Sequence, residues 1–342
     1  MDKLTIGIFQ EPHLDNKTGG GFSYYEALAQ AIDQYEFHES LDIRFIQNNF
    51  PESGSNLKRV VRIDPYKNIK KKVRYRHFIN HRIIKKTKHF FSPLERTYNR
   101  YETVFEEAVQ KSIEEELARN KIDLVYYLHP RPHKLNYPYV CTHWDNGHKS
   151  MFAFPEVAMN NCYQDREDYF HSILGKAFGV FCESESGRRE LLRFSSINEE
   201  RVFVVPLFPG KVVTQSLPAS AQESHLKKHG LGKNEFFFYP AQFWSHKNHY
   251  NLLLAFHKIH KSYPSVKLLF TGSDKGNKEY IKEVVANLGL ERQVLMPGFV
   301  TNGEIYSFYK NALALVMPTF LGPSNMPLLE AEALGCPVIC TD

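Results

Sequence analysis

Four loops hold the residues whose types and spacing could do chemistry. Thr142-His-Trp-Asp-Asn-Gly-His-Lys-Ser150 gathers Asp145, His148 and Lys149 behind a short apolar run, a set able to supply hydrogen bonds and a general acid or base. A metal would want a further ligand at suitable spacing; none stands out, and His143 reads as structural. Gln242-Phe-Trp-Ser-His-Lys-Asn-His249 lies after one apolar run and before a helical pattern. Asn248 has the type of an N-cap, which would put the Lys247 ammonium at the helix mouth as a point charge for an anion; the competing account is an ordinary exposed lysine. Glu330 lies in the helix behind Gly322-Pro-Ser-Asn-Met-Pro327, where a carboxylate is favoured electrostatically and can accept both hydroxyls of a ribose diol. Its neighbour Glu332 points elsewhere round the helix and reads as solvated. Thr18-Gly-Gly-Gly21, with Gly19, Gly20 and Gly21, would expose amides at a helix start. It is not G-x-G-x-x-G and no acid stands suitably about 20 residues on, so a dinucleotide reading is weak and a plain tight turn stays open.

An α/β scaffold must position these loops. Ile6-Gly-Ile-Phe9, the glycine loop, a helical pattern over Tyr24–Tyr35 and Leu41-Asp-Ile-Arg-Phe-Ile46 make a strand, loop, helix and strand in order. A long helix is expected over Pro93–Arg119, followed by apolar runs at Leu124–Leu128, Tyr139–Thr142, Gly179–Cys182 and Val202–Val205. Residues 206–222 mix Pro, Gly, Ser and polar types and read as a connection. The rhythm then restarts, with strands expected at Phe236–Tyr239, Val266–Phe270, Val294–Met296 and Ala312–Met317. Helices are expected at Asn248–Tyr263, Lys278–Leu288, Glu304–Lys310 and Pro327–Leu334. Near-continuous apolar strands alternating with helices mean parallel strands covered on both faces. The expectation is an α/β chain of two Rossmann-like domains facing a cleft. Residues 1–210 form the acceptor-side domain, 211–234 a linker and 235–342 a second domain. Pro337-Val-Ile-Cys-Thr-Asp342 opens a further strand on which the chain stops, so that domain is read as incomplete.

Apolar content of 42% and 24% charged residues are ordinary for a globular protein, and no run approaches the roughly 18 apolar residues of a membrane span. Met1-Asp-Lys-Leu-Thr-Ile-Gly-Ile-Phe9 lacks signal-peptide form, and the five cysteines are scattered without C-x-x-C spacing, so reduced thiols in a cytoplasmic protein are expected. The net charge of +5 hides an asymmetry: residues 58–89 hold 13 Lys/Arg against one acid, a local +12 that leaves −7 for the rest. Lys70-Lys-Lys-Val-Arg-Tyr-Arg-His77 and Arg82-Ile-Ile-Lys-Lys-Thr-Lys88 read either as a solvated helical face or as a patch for anionic headgroups or a phosphorylated acceptor. No recognition motif for nucleic acid accompanies the charge.

Taken together, Trp144-Asp-Asn-Gly-His148 with Phe154-Pro-Glu156, Ser184 with Arg188-Arg-Glu-Leu-Leu192, Gln242-Phe-Trp-Ser-His-Lys-Asn248 and Gly322-Pro-Ser-Asn-Met-Pro-Leu-Leu-Glu330 resemble the retaining glycosyltransferases of family 4 (group 1), which have the GT-B fold. The resemblance covers nearly the whole chain and implies a nucleotide-sugar donor, a glycan or lipid-linked saccharide acceptor, and no cofactor or metal. It gives Lys247 to the donor diphosphate and Glu330 to the ribose, with Gly19, Gly20, Gly21, Gln242, Thr271, Gly272, Asn325 and Met326 as further donor contacts. Asp145 and His148 would orient the acceptor or the donor sugar. Two departures stand out: the first Glu of the family's Glu-x7-Glu pattern falls on Gly322, and the Arg five residues before the Lys falls on Gln242. The resemblance further implies cell-surface polysaccharide or lipopolysaccharide assembly at the inner membrane face, and family members continue beyond Asp342. Two alternatives keep the fold: a nucleotide-sugar or glycan binder that serves assembly without turnover, and a nucleotide-sugar epimerase.

Overall fold

A computed structural model describes residues 3–9, 20–48, 57–79, 92–128, 134–322 and 325–341. Seven strands, β1 (Leu4–Phe9), β2 (Leu41–Asn48), β3 (Val60–Ile63), β4 (Leu124–Tyr127), β5 (Tyr139–His143), β6 (Gly179–Cys182) and β7 (Val202–Val204), form one sheet of order β3-β2-β1-β4-β5-β6-β7. The β1–β2, β1–β4, β2–β3 and β4–β5 pairs are parallel, with Ile6 opposite Ile43 and Leu124. Adjacent residues Ile8 and Phe9, and Phe45 and Ile46, are all buried, as expected of strands covered on both faces. β3 was not expected, because its four residues sit inside the basic segment, whose charge masks the strand pattern.

Five further strands, β8 (Phe236–Pro240), β9 (Lys267–Thr271), β10 (Val294–Gly298), β11 (Ala314–Met317) and β12 (Val338–Cys340), make a second parallel sheet of order β10-β9-β8-β11-β12. The period of two sends successive residues to opposite faces. Phe236, Phe238, Leu269 and Leu315 pack with the helices Ala219–Lys228, Asn302–Asn311 and Met326–Leu334, around Leu226, Phe308, Ala331 and Leu334. Tyr239, Leu268 and Phe270 pack on the other face with the helices His249–His260 and Lys278–Asn287. Each such fully buried side chain stabilises the fold by roughly 1.5–3 kcal/mol.

The chain divides into two compact units, one of Met1–His13, Gln30–Thr142 and Ser172–Val180, the other of Leu14–Ala29, His143–His171 and Phe181–Asp342. This division differs from the sequence boundaries at 210 and 235: the loop after β5 belongs with the five-stranded sheet. The stretch 211–234 is also more than a connection. It holds a 3-10 turn at Lys211–Thr214 and the helix Ala219–Lys228, whose His225 Nδ1 meets Ser307 Oγ at 2.9 Å.

Glu304 closes that packing. Thr301 and Glu304 form a reciprocal capping box, and the Glu304 carboxylate also takes Lys228 Nζ at 2.7 Å and His229 Nε2 at 2.8 Å. Burial alone would raise its pKa, but these donors outweigh burial and bring it down to about 2. A depressed carboxyl contributes stability that is present above its unfolded value near 4.5 and is lost as pH falls toward 2. Glu304→Gln is therefore expected to cost roughly 2–3 kcal/mol at pH 7. Thermal melts should show the gap to the parent narrowing from pH 4.5 to 3.

In the first unit, the basic helix Lys71–Ile79 has no buried residue and lies on the helix Ser92–Arg119 through His77, stacked on Phe105 at 3.7 Å. Tyr75 and Phe78 are exposed. Residues 82–88 lie outside the described residues.

Candidate functional site

The site is built within the second unit, around the turn that follows β8. Ser245–Lys247 form a single 3-10 turn, and Asn248 follows with φ 59° and ψ 34°. The expected N-cap bond is absent: Asn248 begins the helix His249–His260, but its Nδ2 donates to Pro318 O at 2.9 Å and its Oδ1 accepts from Asn251. The left-handed conformation turns the side chain from the helix end toward the strand β11 exit. Lys247 is fixed through its backbone, with Tyr239 OH donating to its carbonyl at 2.8 Å. Its half-buried ammonium lies 3.4 Å from Asn325 Oδ1, and burial brings its pKa down to about 8 while the Asp145 charge acts against that fall.

The facing loop is set by glycine. Gly322 has φ +139°, and a Cβ there would stand 2.8 Å from Asn325 Oδ1 and 2.9 Å from its Nδ2. The carboxylate that the resemblance leads one to expect at this position is thus disfavoured by the backbone conformation, and any side chain there would also displace the Asn325 amide. Asn325 returns a bond from Nδ2 to Gly322 O at 3.3 Å and precedes the helix Met326–Leu334, whose Met326 is buried. One turn on, Glu330 Oε2 accepts from Tyr309 OH at 2.9 Å. Burial pushes the Glu330 carboxyl up to about 7, against the Tyr309 hydroxyl and the Gly210 amide, which favour the anion.

Gln242 is already occupied. Its Nε2 donates to Ser273 Oγ and its Oε1 accepts from Trp244 Nε1, both at 3.0 Å, so it ties the β8 and β9 exits together. Thr271 ends β9 buried, and Gly272 brings the two backbones into contact.

The loop after β5 contributes the counter-charges. Asp145 Oδ1 accepts from Gly147 N at 2.8 Å and from Arg166 Nη1 at 2.6 Å; burial raises its pKa, but the guanidinium wins and the net shift is downward. His143 is buried with Nε2 3.3 Å from Asn146 Oδ1, and burial holds its pKa at about 4, a neutral structural ring as expected. His148 was expected to face a ligand. It is instead fully buried, bonded through Nε2 to Glu167 at 2.9 Å, and Glu167 also pairs with Lys149 at 2.7 Å. The short helix Gly147–Ser150 turns its ring inward, under Phe170.

Glu156 supplies a partner that the sequence could not assign. Its Oε1 accepts the backbone N–H of His246 at 2.8 Å and meets His246 Nδ1 at 2.6 Å. A carboxylate only accepts, so Nδ1 carries the hydrogen and Nε2 is left as an acceptor. Burial and the adjacent Lys247 keep this ring neutral by lowering its pKa. The carbonyl of His246 accepts from Phe320 N at 2.9 Å, which joins the Lys247 turn to the Gly322 loop. Arg166, Glu156 and Tyr309 thus belong to the site although only Glu156 fell within a quoted motif, and that motif carried no sign of its partner. Gly20 and Gly21 open the helix Gly20–Gln34 rather than sitting in a loop before it, so their amides belong to the unpaired first turn; Gly19 lies outside the described residues.

Comparison with known proteins fits this architecture. The Glycosyl transferases group 1 family matches residues 221–342. Over 180 residues the chain is 26% identical to a D-inositol 3-phosphate glycosyltransferase of Pseudarthrobacter chlorophenolicus, covering 52% of this chain and 42% of that protein. Over 197 residues it is 23% identical to O-antigen chain mannosyltransferase B of Escherichia coli, covering 56% and 51% respectively. The chain thus matches about half the length of these curated relatives. Anabaena HepE, solved in complex with UDP and glucose, superposes with a TM-score of 0.60 over 98% of this chain and 80% of that one, at 14% identity. The parallel sheets flanked by helices give the chain the GT-B type of α/β fold, and its residues 221–342 match the glycosyl transferases group 1 family.

Proposed function

We propose that the protein is a glycosyltransferase that moves a sugar from a nucleotide-sugar donor to a glycan or lipid-linked acceptor in cell-surface polysaccharide or lipopolysaccharide assembly. The observation that carries this reading is the Lys247 ammonium, half-buried at the β8 exit and met by the neutral amide of Asn325, inside the stretch that matches the glycosyl transferases group 1 family. A half-buried cation with its pKa held down gains from an anionic ligand, and a diphosphate supplies one. The relatives named as a D-inositol 3-phosphate glycosyltransferase and an O-antigen chain mannosyltransferase support the same class of reaction.

The reaction retains the anomeric configuration. The C1–O bond to the diphosphate breaks, the acceptor oxygen attacks from the same face, and its proton passes to the departing phosphate oxygen. Lys247 stabilises the charge that develops on the leaving group, and Asn325 holds the ammonium in place. Among the described residues no group of three or more His, Cys, Asp or Glu side chains is arranged for a metal ion, and the proposed mechanism uses none. Mass spectrometry of the full-length protein against a panel of nucleotide sugars, with and without EDTA, tests the reaction; NMR of the product anomer tests retention.

Nucleotide binding should depend on pH in a defined direction. The diphosphate favours protonated Lys247, so the Lys247 contribution to UDP or GDP affinity is constant below about pH 8 and falls above it, up to tenfold per pH unit, until the pKa of the complex is reached. Calorimetry at pH 8 should show proton uptake on binding, and uptake of none would count against Lys247 as the phosphate ligand.

A cytoplasmic site at the inner membrane face belongs to the same proposal. The exposed Tyr75 and Phe78 beside Lys71, Lys72 and Arg74 suit an anionic interface, and no described helix is long and apolar enough to cross a membrane. Flotation with vesicles containing anionic lipid, lost on charge reversal of those three residues, is the test. A second reading, donor binding without turnover, draws on Gln242, whose amide is already spent on Ser273 and Trp244; tight UDP or GDP binding with no transfer or hydrolysis would favour it.

A further inference from the structure

We infer that Tyr309 is a positioning residue for the donor, holding one oxygen of Glu330 so that the carboxylate presents a fixed edge to the ribose diol. The inference rests on the reading of Glu330 as the ribose ligand and goes beyond it, because nothing in the sequence patterns marks Tyr309.

Three elements converge on the carboxylate. Tyr309 comes from the helix Asn302–Asn311, Glu330 from the helix Met326–Leu334, and Gly210 precedes the 3-10 turn Lys211–Thr214. The tyrosine is 1% exposed, packed edge-on against Phe238 with ring centroids 5.1 Å apart, so its hydroxyl has no freedom to follow a moving partner. That hydroxyl lies 2.9 Å from Glu330 Oε2 and 3.5 Å from Pro327 O, and one hydroxyl proton serves the shorter contact. A glutamate side chain otherwise samples several rotamers, and a diol needs its carboxylate in one plane. Holding one oxygen from beneath fixes that plane before the donor arrives.

The groups facing the carboxyl are the Tyr309 hydroxyl and the Gly210 amide, with Cys336 facing the tyrosine from behind. Both the hydroxyl and the amide favour the anion, against the burial that opposes it. Loss of the hydroxyl therefore moves the ionisation of Glu330 upward. The acceptor form of the carboxylate then appears at higher pH.

The test is Tyr309→Phe in the full-length protein, with Glu330→Gln alongside and circular dichroism melts on both. UDP and GDP are the binding probes, and the nucleotide sugar found active is the substrate. Tyr309→Phe should weaken nucleotide binding and raise the donor KM about tenfold while kcat changes less than twofold. It should also shift the rise of donor affinity with pH upward by half a unit or more. Unchanged affinity and an unchanged pH profile in Tyr309→Phe, with Glu330→Gln impaired, would overturn the role of Tyr309 and leave Glu330 standing. If Glu330→Gln also binds and turns over like the parent, the reading of Glu330 itself fails. A fall in kcat and KM affinity that tracks a lowered melting temperature, with no pH shift, would show a merely structural tyrosine and overturns the inference as well.

Discussion

Lys247→Ala in the full-length protein is expected to lower kcat/KM by roughly 10²–10³, the size of effect seen when one preorganised donor to a developing oxyanion is removed. The prediction follows from where the charge sits. The ammonium is half-buried, the residue's carbonyl is pinned by Tyr239, and the ammonium meets the neutral Asn325 Oδ1 at 3.4 Å. Nothing in that environment compensates its burial fully, which is why its pKa lies near 8. The same geometry predicts an opposite effect on stability. The folded state holds the ammonium at a cost below about pH 8, and that cost is relieved as pH rises toward the unfolded value of 10.5. Alanine removes the buried charge, so the melting temperature at pH 7 should hold or rise as activity falls. A variant with full transfer activity would remove Lys247 from the donor site, and a fall in activity that merely follows unfolding would do the same.

Gly272→Ala should have the largest effect on stability, roughly 3–5 kcal/mol. Gly272 has φ +143°, and a Cβ there would stand 2.6 Å from Ala241 O, 2.8 Å from Ala241 C and 2.9 Å from Gln242 N. All three are backbone atoms of the β8 exit, which cannot swing aside as a side chain could. The strained conformation costs on the order of 1–3 kcal/mol and the overpacking a similar amount. Beyond stability, the shift would part the two strand exits, break the contact of Gln242 with Ser273 and displace the turn that carries Lys247. Thermal melts and nucleotide titrations should both show it, whereas Gly276→Ala, with φ +97° but open space around its Cβ, should cost only the backbone strain.

Much of the scaffold could be read from local pattern. Phe236–Tyr239 as a strand and the helices after β8 to β11 follow from apolar runs and helical spacing, and the long helix expected from Pro93 is found at Ser92–Arg119. Such patterns are local, and burial on both faces of a parallel sheet leaves its mark residue by residue. β3 escaped because four strand residues within a basic run show too little pattern, and the helix Ala219–Lys228 escaped because polar residues and a preceding Pro resemble a connection.

The sequence alone determined the order of most strands and helices, the loops that could meet a ligand, and Lys247 and Glu330 as charged residues near them. Partner choice was decided by tertiary structure. Glu156 meets His246 across 90 residues of chain, Asp145 meets Arg166, Gln242 is spent on its neighbours, and Tyr309 reaches Glu330 from another helix. His148 shows the limit most plainly. Its loop placement suggested a ligand-facing ring, yet the short helix around it buries the imidazole and directs it to the partly exposed Glu167. Periodicity records which face of an element is buried, whereas the direction and occupancy of a polar side chain depend on groups brought together only by the packed fold.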